Sequence, residues 1–430
     1  MNEIHHVYCL LFMKTQFLLI FLFLFTHTTF AQSDELVYED KVYVDFIQSL
    51  AFHQTGLKTS YPIVELKNGS LSLSFDDMAD TFYDYTYRII HCDRDWVPSD
   101  LSEIEYLDGF NNELIRNYDT SENTYMDYVH YELRIPNADV KWIISGNYLL
   151  VVDDEEGLPL FSRRFMVVDP KISIEGRTSK SRDIEFIDSY QAVDFTVKST
   201  DYNISSPLEE ITATVLQNGR WNTAKENITP TSVTGNLIRF QKVGNYSFPG
   251  QKEFRSFDIR SLQTATKYVH SIDLLPTGTT ALLELSKSRF YRNYLTEKDA
   301  NGAFVLDNFD RNYATITGDY VKTIFTVQTM EIEDRNVYVV GRFNDWSARK
   351  QYLLNYDHER KCYVGEIFFK QGYYDYYLGT KGSDDELETV LLEGNWYETE
   401  NDYIILIYQR AFNRDYDQLI GIQYLNSFQN

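Results

Sequence analysis

Hydrophobic and polar residues alternate along much of this chain, a pattern that predicts half-buried β-strands. The segment SLSLSF at 70–75 places Leu71, Leu73 and Phe75 on one face. Comparable strand patterns, alternating or short and apolar, occur at 82–91, 131–135, 146–152, 165–168, 193–197, 211–215, 337–339, 363–369, 373–378, 404–408 and 419–425. Helical periodicity is scarce, so the pattern predicts an all-β protein made of tandem β-sandwiches.

Turn residues separate these predicted strands and suggest where domains end. Asn218-Gly219 predicts a two-residue hairpin because both residues accept positive φ. Lys370-Gln371-Gly372 predicts a second hairpin, and the strands at 404–408 and 419–425 are expected to close the last sheet. With Asp169-Pro170 as the first boundary, we predict immunoglobulin-like sandwich domains at the ranges 32–170, 171–312 and 313–430.

The composition agrees with a sheet protein of several domains. The chain has 34 Tyr and 28 Phe among 430 residues. Aromatic side chains suit pleated, half-buried surfaces, so this bias favours strands. The length allows about two to four domains.

Residues 1–31 have the features of a signal peptide. Lys14 precedes the short apolar run 17–25, and small residues lead to Ala31, where cleavage is expected. Met13 is a better start for this signal than Met1. The run is too short to anchor the chain in a bilayer, and no Cys follows the cut for lipid attachment. We therefore expect an exported protein with no direct membrane insertion.

The net charge of −24 restricts the partners. An acidic surface repels the phosphate backbone of nucleic acids and the headgroups of anionic lipids. A basic protein partner is compatible with this charge.

The three cysteines leave two alternatives for the mature chain. Cys9 lies ahead of the cut, so Cys92 and Cys362 remain. Export permits a disulfide between them, whereas their wide separation in sequence favours two buried thiols.

No catalytic, cofactor or metal site is predicted. Phosphate-binding, dinucleotide-binding and nucleophile-elbow motifs are missing from the sequence. The run His91-Cys92-Asp93 is the best local cluster, but neighbouring strand residues point to opposite faces and make poor joint ligands. The acidic clusters at 76–77, 153–156 and 383–386 are interpreted as solvated loops. The protein is expected not to be an enzyme.

The segment VGRFNDWS at 340–347 resembles a strand-turn signature of immunoglobulin-like modules in glycogen- and starch-binding domains. That signature is mainly structural in such modules, so Trp346 is expected to pack on the core. A sugar-stacking platform is the alternative, with Trp396 and the tyrosines of 373–377 as further aromatic groups.

A longer resemblance covers residues 61–170. The segments YPIVELKNGSLSLSFDDM, YRIIHCDRDWVPSDLSEIEYLDGF, SGNYLLVV and FSRRFMVVDP are similar, in order and spacing, to the first domain of the type IX secretion system plug family. The resemblance implies a periplasmic protein that seals the large outer-membrane translocon barrel. It supplies no catalytic residues. The motif positions interpreted as turn, capping or partner-contact residues are Asp93, Asp95, Trp96, Ser99, Asp100, Asp108 and Gly109.

Two functions therefore remain open from the sequence. The first is a pore plug, which needs an extensive contact surface for the barrel. The second is a carbohydrate-binding protein that uses the C-terminal FNDW module and needs exposed, coplanar aromatic rings.

Overall fold

Strands dominate the secondary structure, which confirms the predicted all-β class. The structure is a computed structural model that describes residues 35–79, 81–241 and 246–429. The predicted signal peptide at 1–31 lies outside the described residues. The strand at Leu71–Asp77 shows why the pattern works: Leu71, Leu73 and Phe75 are all buried on one side of the pleat.

The described residues form 32 strands, numbered in chain order. They are β1 Lys41–Val42, β2 Ile47–Gln54, β3 Ile63–Glu65, β4 Leu71–Asp77, β5 Thr86–Cys92, β6 Leu107–Gly109, β7 Glu113–Leu114, β8 Asn117–Thr120, β9 Val129–Ile135, β10 Val140–Trp142, β11 Gly146–Asp153, β12 Pro159–Val168, β13 Ser173–Lys180, β14 Tyr190–Lys198, β15 Ile211–Gln217, β16 Arg220–Ile228, β17 Ser232–Thr234, β18 Leu237–Phe240, β19 Ser247–Pro249, β20 Arg255–Asp258, β21 Val269–Leu275, β22 Gly278–Leu283, β23 Ser286–Lys287, β24 Phe304–Leu306, β25 Tyr320–Gln328, β26 Asn336–Val340, β27 Leu353–Asp357, β28 Cys362–Lys370, β29 Gly372–Lys381, β30 Leu387–Glu388, β31 Asp402–Gln409 and β32 Gln418–Asn426.

Helices are short and serve as corners between strands. Among the described residues the four single-turn α-helices are α1 Glu103–Tyr106, α2 Pro207–Glu210, α3 Ala314–Thr317 and α4 Val390–Glu393. The 3-10 turns are Ile184–Phe186, Arg342–Asn344 and Lys350–Tyr352. None of the helices in the described parts of the chain has the length and apolar composition needed to cross a membrane.

The first lobe, β1–β12, is a sandwich. One sheet has the order β1-β12-β11-β5-β7, with β3 added beside β12, and the facing sheet has the order β2-β4-β9-β8. A small third sheet pairs β10 with β6. The facing sheets enclose one hydrophobic cluster in which Phe75 stacks on Tyr131 and meets Phe161 edge to face. Burial of these aromatic rings contributes a large apolar surface to the core of the lobe.

The second lobe closes with strands from the C-terminus. Its sheets are β13-β14-β18-β17, with β19 beside β14, and β16-β15-β31-β32. The predicted hairpin at Asn218-Gly219 is confirmed, since both residues have positive φ between β15 and β16. The two sheets of this lobe share a hydrophobic cluster that includes Phe195, Val215 and Ile405.

The third lobe is one continuous sheet of eleven strands around its own cluster. The order is β20-β29-β26-β27-β28-β25-β22-β21, with β23, β24 and β30 attached at the side. Phe257, Phe325 and Phe369 pack together in its interior.

Two local predictions about the C-terminal region are wrong. Lys370-Gln371-Gly372 is not a hairpin, because β28 pairs with β25 and β27 whereas β29 pairs with β20 and β26. Gln371 instead connects β28 to β29, which are not neighbours in the sheet, and donates its backbone N–H to the carbonyl of Asp319. The strands at 404–408 and 419–425 also do not close the last sheet, because β31 pairs with β15 along its whole length.

The boundaries at 170 and 312 remain predictions, and the strand pairing limits how they can be drawn. Strands β20–β24 precede residue 312 and belong to the third lobe, while β31 and β32 follow that residue and belong to the second. Any division of the chain must keep these hydrogen-bonded strands together.

Candidate functional site

The loop after β5 is built by side-chain capping of backbone amides. Asp93 accepts hydrogen bonds from the N–H groups of Asp95 and Val97 through one carboxylate oxygen, at 3.0 and 2.9 Å. Trp96 takes the left-handed conformation at φ 63° and donates its backbone N–H to the Asp93 carbonyl. The turn therefore depends on the short carboxylate at 93.

This loop joins the first lobe to the second. Trp96 is only 4% exposed and meets Trp221 of β16 edge to face, with ring centroids 5.0 Å apart. The guanidinium of Arg164 lies 4.5 Å from the Trp96 ring and 5.2 Å from Trp221. Asp95 accepts a hydrogen bond from the side-chain amide of Asn227 at 2.5 Å. The cation and the paired rings hold the two lobes together.

Ser99 supports His91 from the same loop. The Ser99 hydroxyl lies 2.9 Å from Nδ1 of His91, whose ring packs against Tyr148. Burial lowers the pKa of His91 to about 4, so its imidazole is neutral at pH 7. This neighbourhood is a packed core with hydroxyl support.

The cysteines are free and buried, as the favoured alternative from the sequence predicts. Cys92 and Cys362 form no disulfide. Burial raises the pKa of the Cys92 thiol to about 12, which keeps it protonated and poorly nucleophilic at neutral pH.

The remaining motif residues of the first lobe lie at the surface. Asp100 and Asp108 are exposed. Gly109 has φ 115°, and a Cβ atom there would lie 2.0 Å from the carbonyl oxygen of Asp139. Only glycine fits this close approach between β6 and the turn before β10.

The FNDW segment forms a tight turn whose polar groups bind backbone and neighbouring side chains. The Asn344 amide donates to the carbonyl of Val339 and accepts from the N–H of Gly341. Asp345 pairs with Arg349 of the same turn at 2.6 Å and with Arg163 of the first lobe at 3.1 Å. The turn is therefore held by contacts within the third lobe and by one ion pair to the first lobe.

Trp346 is part of a packed aromatic cluster and is largely buried. It is 8% exposed and packs with Phe254 and Tyr377. The guanidinium of Arg220 lies 4.7 Å from its ring centroid. Arg220 is itself buried, and burial lowers its pKa to about 10. The ring stabilises a cation from the second lobe.

Truncating Trp346 is expected to destabilise the protein. Trp346→Ala should lower the free energy of unfolding by about 3 kcal/mol, because it leaves a cavity and removes the ring beside Arg220. Urea unfolding of the full chain measures this loss, with Tyr291→Ala at a 93% exposed ring as the control. An unchanged free energy of unfolding, together with lost binding to an α-glucan column, would instead identify Trp346 as a sugar platform.

A cavity of about 520 Å³ brings three motif residues together where the lobes meet. Asp95, Trp96 and Trp346 line it, and the other five lie elsewhere. The surrounding charges are mixed, with the cations Lys58, Arg163, Arg164 and Arg342 and the anions Glu39, Asp40, Asp95, Glu226 and Asp345. Only these three of the eight residues singled out from the sequence thus meet in the cavity between lobes.

A buried ionic cluster is the main feature that the sequence did not reveal. Asp76 was interpreted as part of a solvated loop, but its side chain is fully buried. It binds Lys370 at 2.7 Å, the hydroxyl of Tyr320 at 2.7 Å and Nδ1 of His130 at 2.6 Å. Burial alone would raise the pKa of Asp76, but Lys370 and His130 hold it below its usual value.

The other acidic clusters divide between buried and exposed positions. Asp77 is buried and accepts the Tyr85 hydroxyl at 2.6 Å, while Asp153 is buried and pairs with Arg88. The solvated-loop interpretation is therefore wrong for Asp77 and Asp153. Each is the last residue of a largely buried strand and has a hydrogen-bond donor beside it. Residues 155–156 and 383–386 are exposed, as interpreted. Within the described residues, no three His, Cys, Asp or Glu side chains are grouped as metal ligands would be.

Comparison with solved structures shows similarity to a protein of almost the same extent. A hypothetical protein from Parabacteroides merdae, solved at 2.30 Å, aligns with a TM-score of 0.86 and 28% identity, over 91% of this chain and 100% of that one. A biofilm-associated protein, its BSP domain, aligns at a TM-score of 0.15 and 9% identity, covering 89% and 59% of the two chains. No curated protein matches the sequence.

The family comparison falls on the first lobe. The matched range includes all of β2–β12, together with the capped loop at Asp93 and the buried carboxylate of Asp76. Residues 47–169 match the family described as the type 9 secretion system plug protein 1st domain.

Proposed function

We propose that this protein is a periplasmic plug that binds and closes the periplasmic opening of the type IX secretion translocon, an outer-membrane β-barrel. The observation that carries the proposal is the match of residues 47–169 to the first domain of plug proteins. The plug has no catalytic task in this account. It acts by occupying the opening.

The contacts between lobes support this role, because a plug has to keep its shape. Lys370 of the third lobe reaches Asp76 of the first, and Tyr128 donates to the carbonyl of Gly318 at 2.9 Å. Arg94 of the first lobe pairs with Asp417 of the second at 3.0 Å. Buried polar contacts of this kind have one favourable geometry and resist sliding of the lobes.

Similar contacts join the second and third lobes. The guanidinium of Arg220 in the second lobe lies 4.7 Å from the ring centroid of Trp346 in the third. Asn301 donates to Asp402 at 2.9 Å. All three lobes are therefore held together by side chains with specific partners.

The acidic charge and the export signal complete the proposal. The net charge of −24 favours a basic surface on the partner. The signal at 1–31 predicts export, and a plug that closes the periplasmic mouth of the barrel has to reach that compartment.

Co-purification tests the proposed partner. The tagged full chain, isolated from detergent-solubilised outer membranes, should bring down the translocon barrel as its main partner. The matched control is the same tagged chain without residues 1–31, which should stay in the cytoplasm and recover no barrel. Equal recovery of the barrel with both chains, or none with the exported one, would contradict the proposal.

A further inference from the structure

An apolar groove lies at one end of the first lobe, apart from the cavity between lobes. Its volume is about 430 Å³. Its apolar lining comes from the segment before β2, the segment between β4 and β5, and the start of β12. The apolar lining residues are Phe46, Met78, Ala79, Tyr83, Tyr85 and Leu160.

Large apolar side chains stay exposed around this groove. Phe46 is 42% exposed and Tyr83 is 41% exposed, while Leu158 of the adjoining hairpin is 47% exposed. Next to Tyr83, Phe82 is 53% exposed and stacks on Tyr118. Contiguous apolar surface of this kind on a soluble lobe marks an interaction site.

The backbone around the groove is fixed by hydrogen bonds. The N–H of Met78 binds the carbonyl of Phe46 at 3.0 Å, and the N–H of Tyr83 binds the Tyr131 hydroxyl at 2.8 Å. On the other wall, Asp154 caps the hairpin by accepting the N–H groups of Glu156 and Leu158. A groove formed in advance loses little entropy when a partner binds.

An acidic rim borders the apolar surface. Asp154, Glu155 and Glu156 line one side of the groove. Glu155 also accepts the backbone N–H of Asp84, which places a fourth carboxylate close by. Among the described residues, no Lys, Arg or His forms an ion pair with any of these four carboxylates. The rim thus keeps its negative charge available for a partner.

We propose that this groove binds a segment of the partner that carries a large apolar side chain beside Lys or Arg residues. Resting on the proposed plug function, the segment belongs to the periplasmic mouth of the translocon barrel. The apolar side chain enters between Phe46 and Tyr83, and the cations face Glu155 and Glu156. An apolar anchor surrounded by polar groups is the arrangement that concentrates binding energy in protein interfaces.

Photo-crosslinking in cells tests the groove directly. Benzoylphenylalanine is placed at Phe46 and, in a second variant, at Leu158, both partly exposed positions. Each should crosslink to the barrel, at a peptide with Lys or Arg close to the crosslinked residue. The control position is Phe412, an exposed phenylalanine between β31 and β32 and outside the groove, which should give no crosslink to the barrel.

Charge reversal tests the chemistry of the partner. The double variant Glu155→Lys/Glu156→Lys should reduce the crosslink yield from Phe46 about tenfold, because it places cations against cations. The matched control, Glu333→Lys/Glu359→Lys, changes the net charge equally at exposed positions of the third lobe and should leave the yield unchanged.

The outcomes separate the groove from the plug function. Co-purification with the barrel but no crosslink from Phe46 or Leu158 would overturn the groove and leave the plug function standing. A crosslink that survives charge reversal would overturn the basic character of the segment. A crosslink to a protein other than the barrel would overturn the assignment of the segment. Loss of co-purification by the wild-type chain would overturn the proposed function itself.

Discussion

Replacing Lys370 by methionine is expected to lower the free energy of unfolding by about 3–5 kcal/mol, the usual cost of leaving a buried charge without its partner. The Lys370 and Asp76 side chains are 1% and 0% exposed and their charged atoms are 2.7 Å apart. Lys370 also donates to the carbonyl of Thr315 at 2.6 Å. The variant would leave the Asp76 carboxylate buried beside the hydroxyl of Tyr320 with its main cation gone.

Urea unfolding at pH 7, followed by circular dichroism, measures this loss. The matched control is Lys322→Met on β25, where the ion pair with Glu366 is exposed on both sides and 3.2 Å long. Exposed pairs contribute about 0–1 kcal/mol, so the control should unfold almost as the wild-type protein does.

A double variant separates the ion pair from simple packing. Lys370→Met with Asp76→Leu removes both charges and should recover part of the lost stability, because no uncompensated charge stays buried. If Lys370→Met costs no more than Lys322→Met, the buried link between the first and third lobes is not a stabilising contact.

The local parts of the fold could be predicted from the sequence because they depend on neighbouring residues. The alternation of Leu71, Leu73 and Phe75 reports burial of one strand face directly. Asn218-Gly219 reports its hairpin because positive φ is required at those two positions. Both signals are complete within a few residues.

Pairing between distant strands had no such signal. The strand β31 joins β15 across almost 200 residues, and nothing in the two sequences distinguishes this pairing from one within the C-terminal segment. Gly372 after Lys370 suggested a hairpin, although the strands on either side belong to different neighbours. Register between remote strands is decided by which apolar faces meet, and that is a property of the whole fold.

The residues of the candidate site and of the buried ionic cluster show the same division. The capping role of Asp93 follows from its short side chain in a turn. The need for glycine at 109 follows from the positive φ of that position. Asp76 gave a misleading signal, because two adjacent carboxylates normally lie in solvent. Its partner Lys370 is 294 residues away. Continued alternation after Phe75 predicts burial of Asp77 only, because it places Asp76 on the opposite face of the strand.

Loss of this protein is expected to open the outer membrane to large hydrophilic compounds. In the proposed function nothing else fills the periplasmic mouth of the barrel, so a strain without the plug should carry an open pore. Vancomycin, which the intact outer membrane excludes, should then enter and inhibit growth. The leak should depend on the barrel, because the barrel is the pore.

The most direct test of the plug function is therefore the vancomycin sensitivity of three strains measured side by side. The strain lacking the plug should become sensitive, and the strain lacking both plug and barrel should be as resistant as the wild type. Expression of the wild-type chain should restore resistance to the first strain. Two results together would contradict the plug function. They are unchanged vancomycin resistance of the strain lacking the plug, and failure of the tagged wild-type protein to co-purify with the barrel from cells that express it.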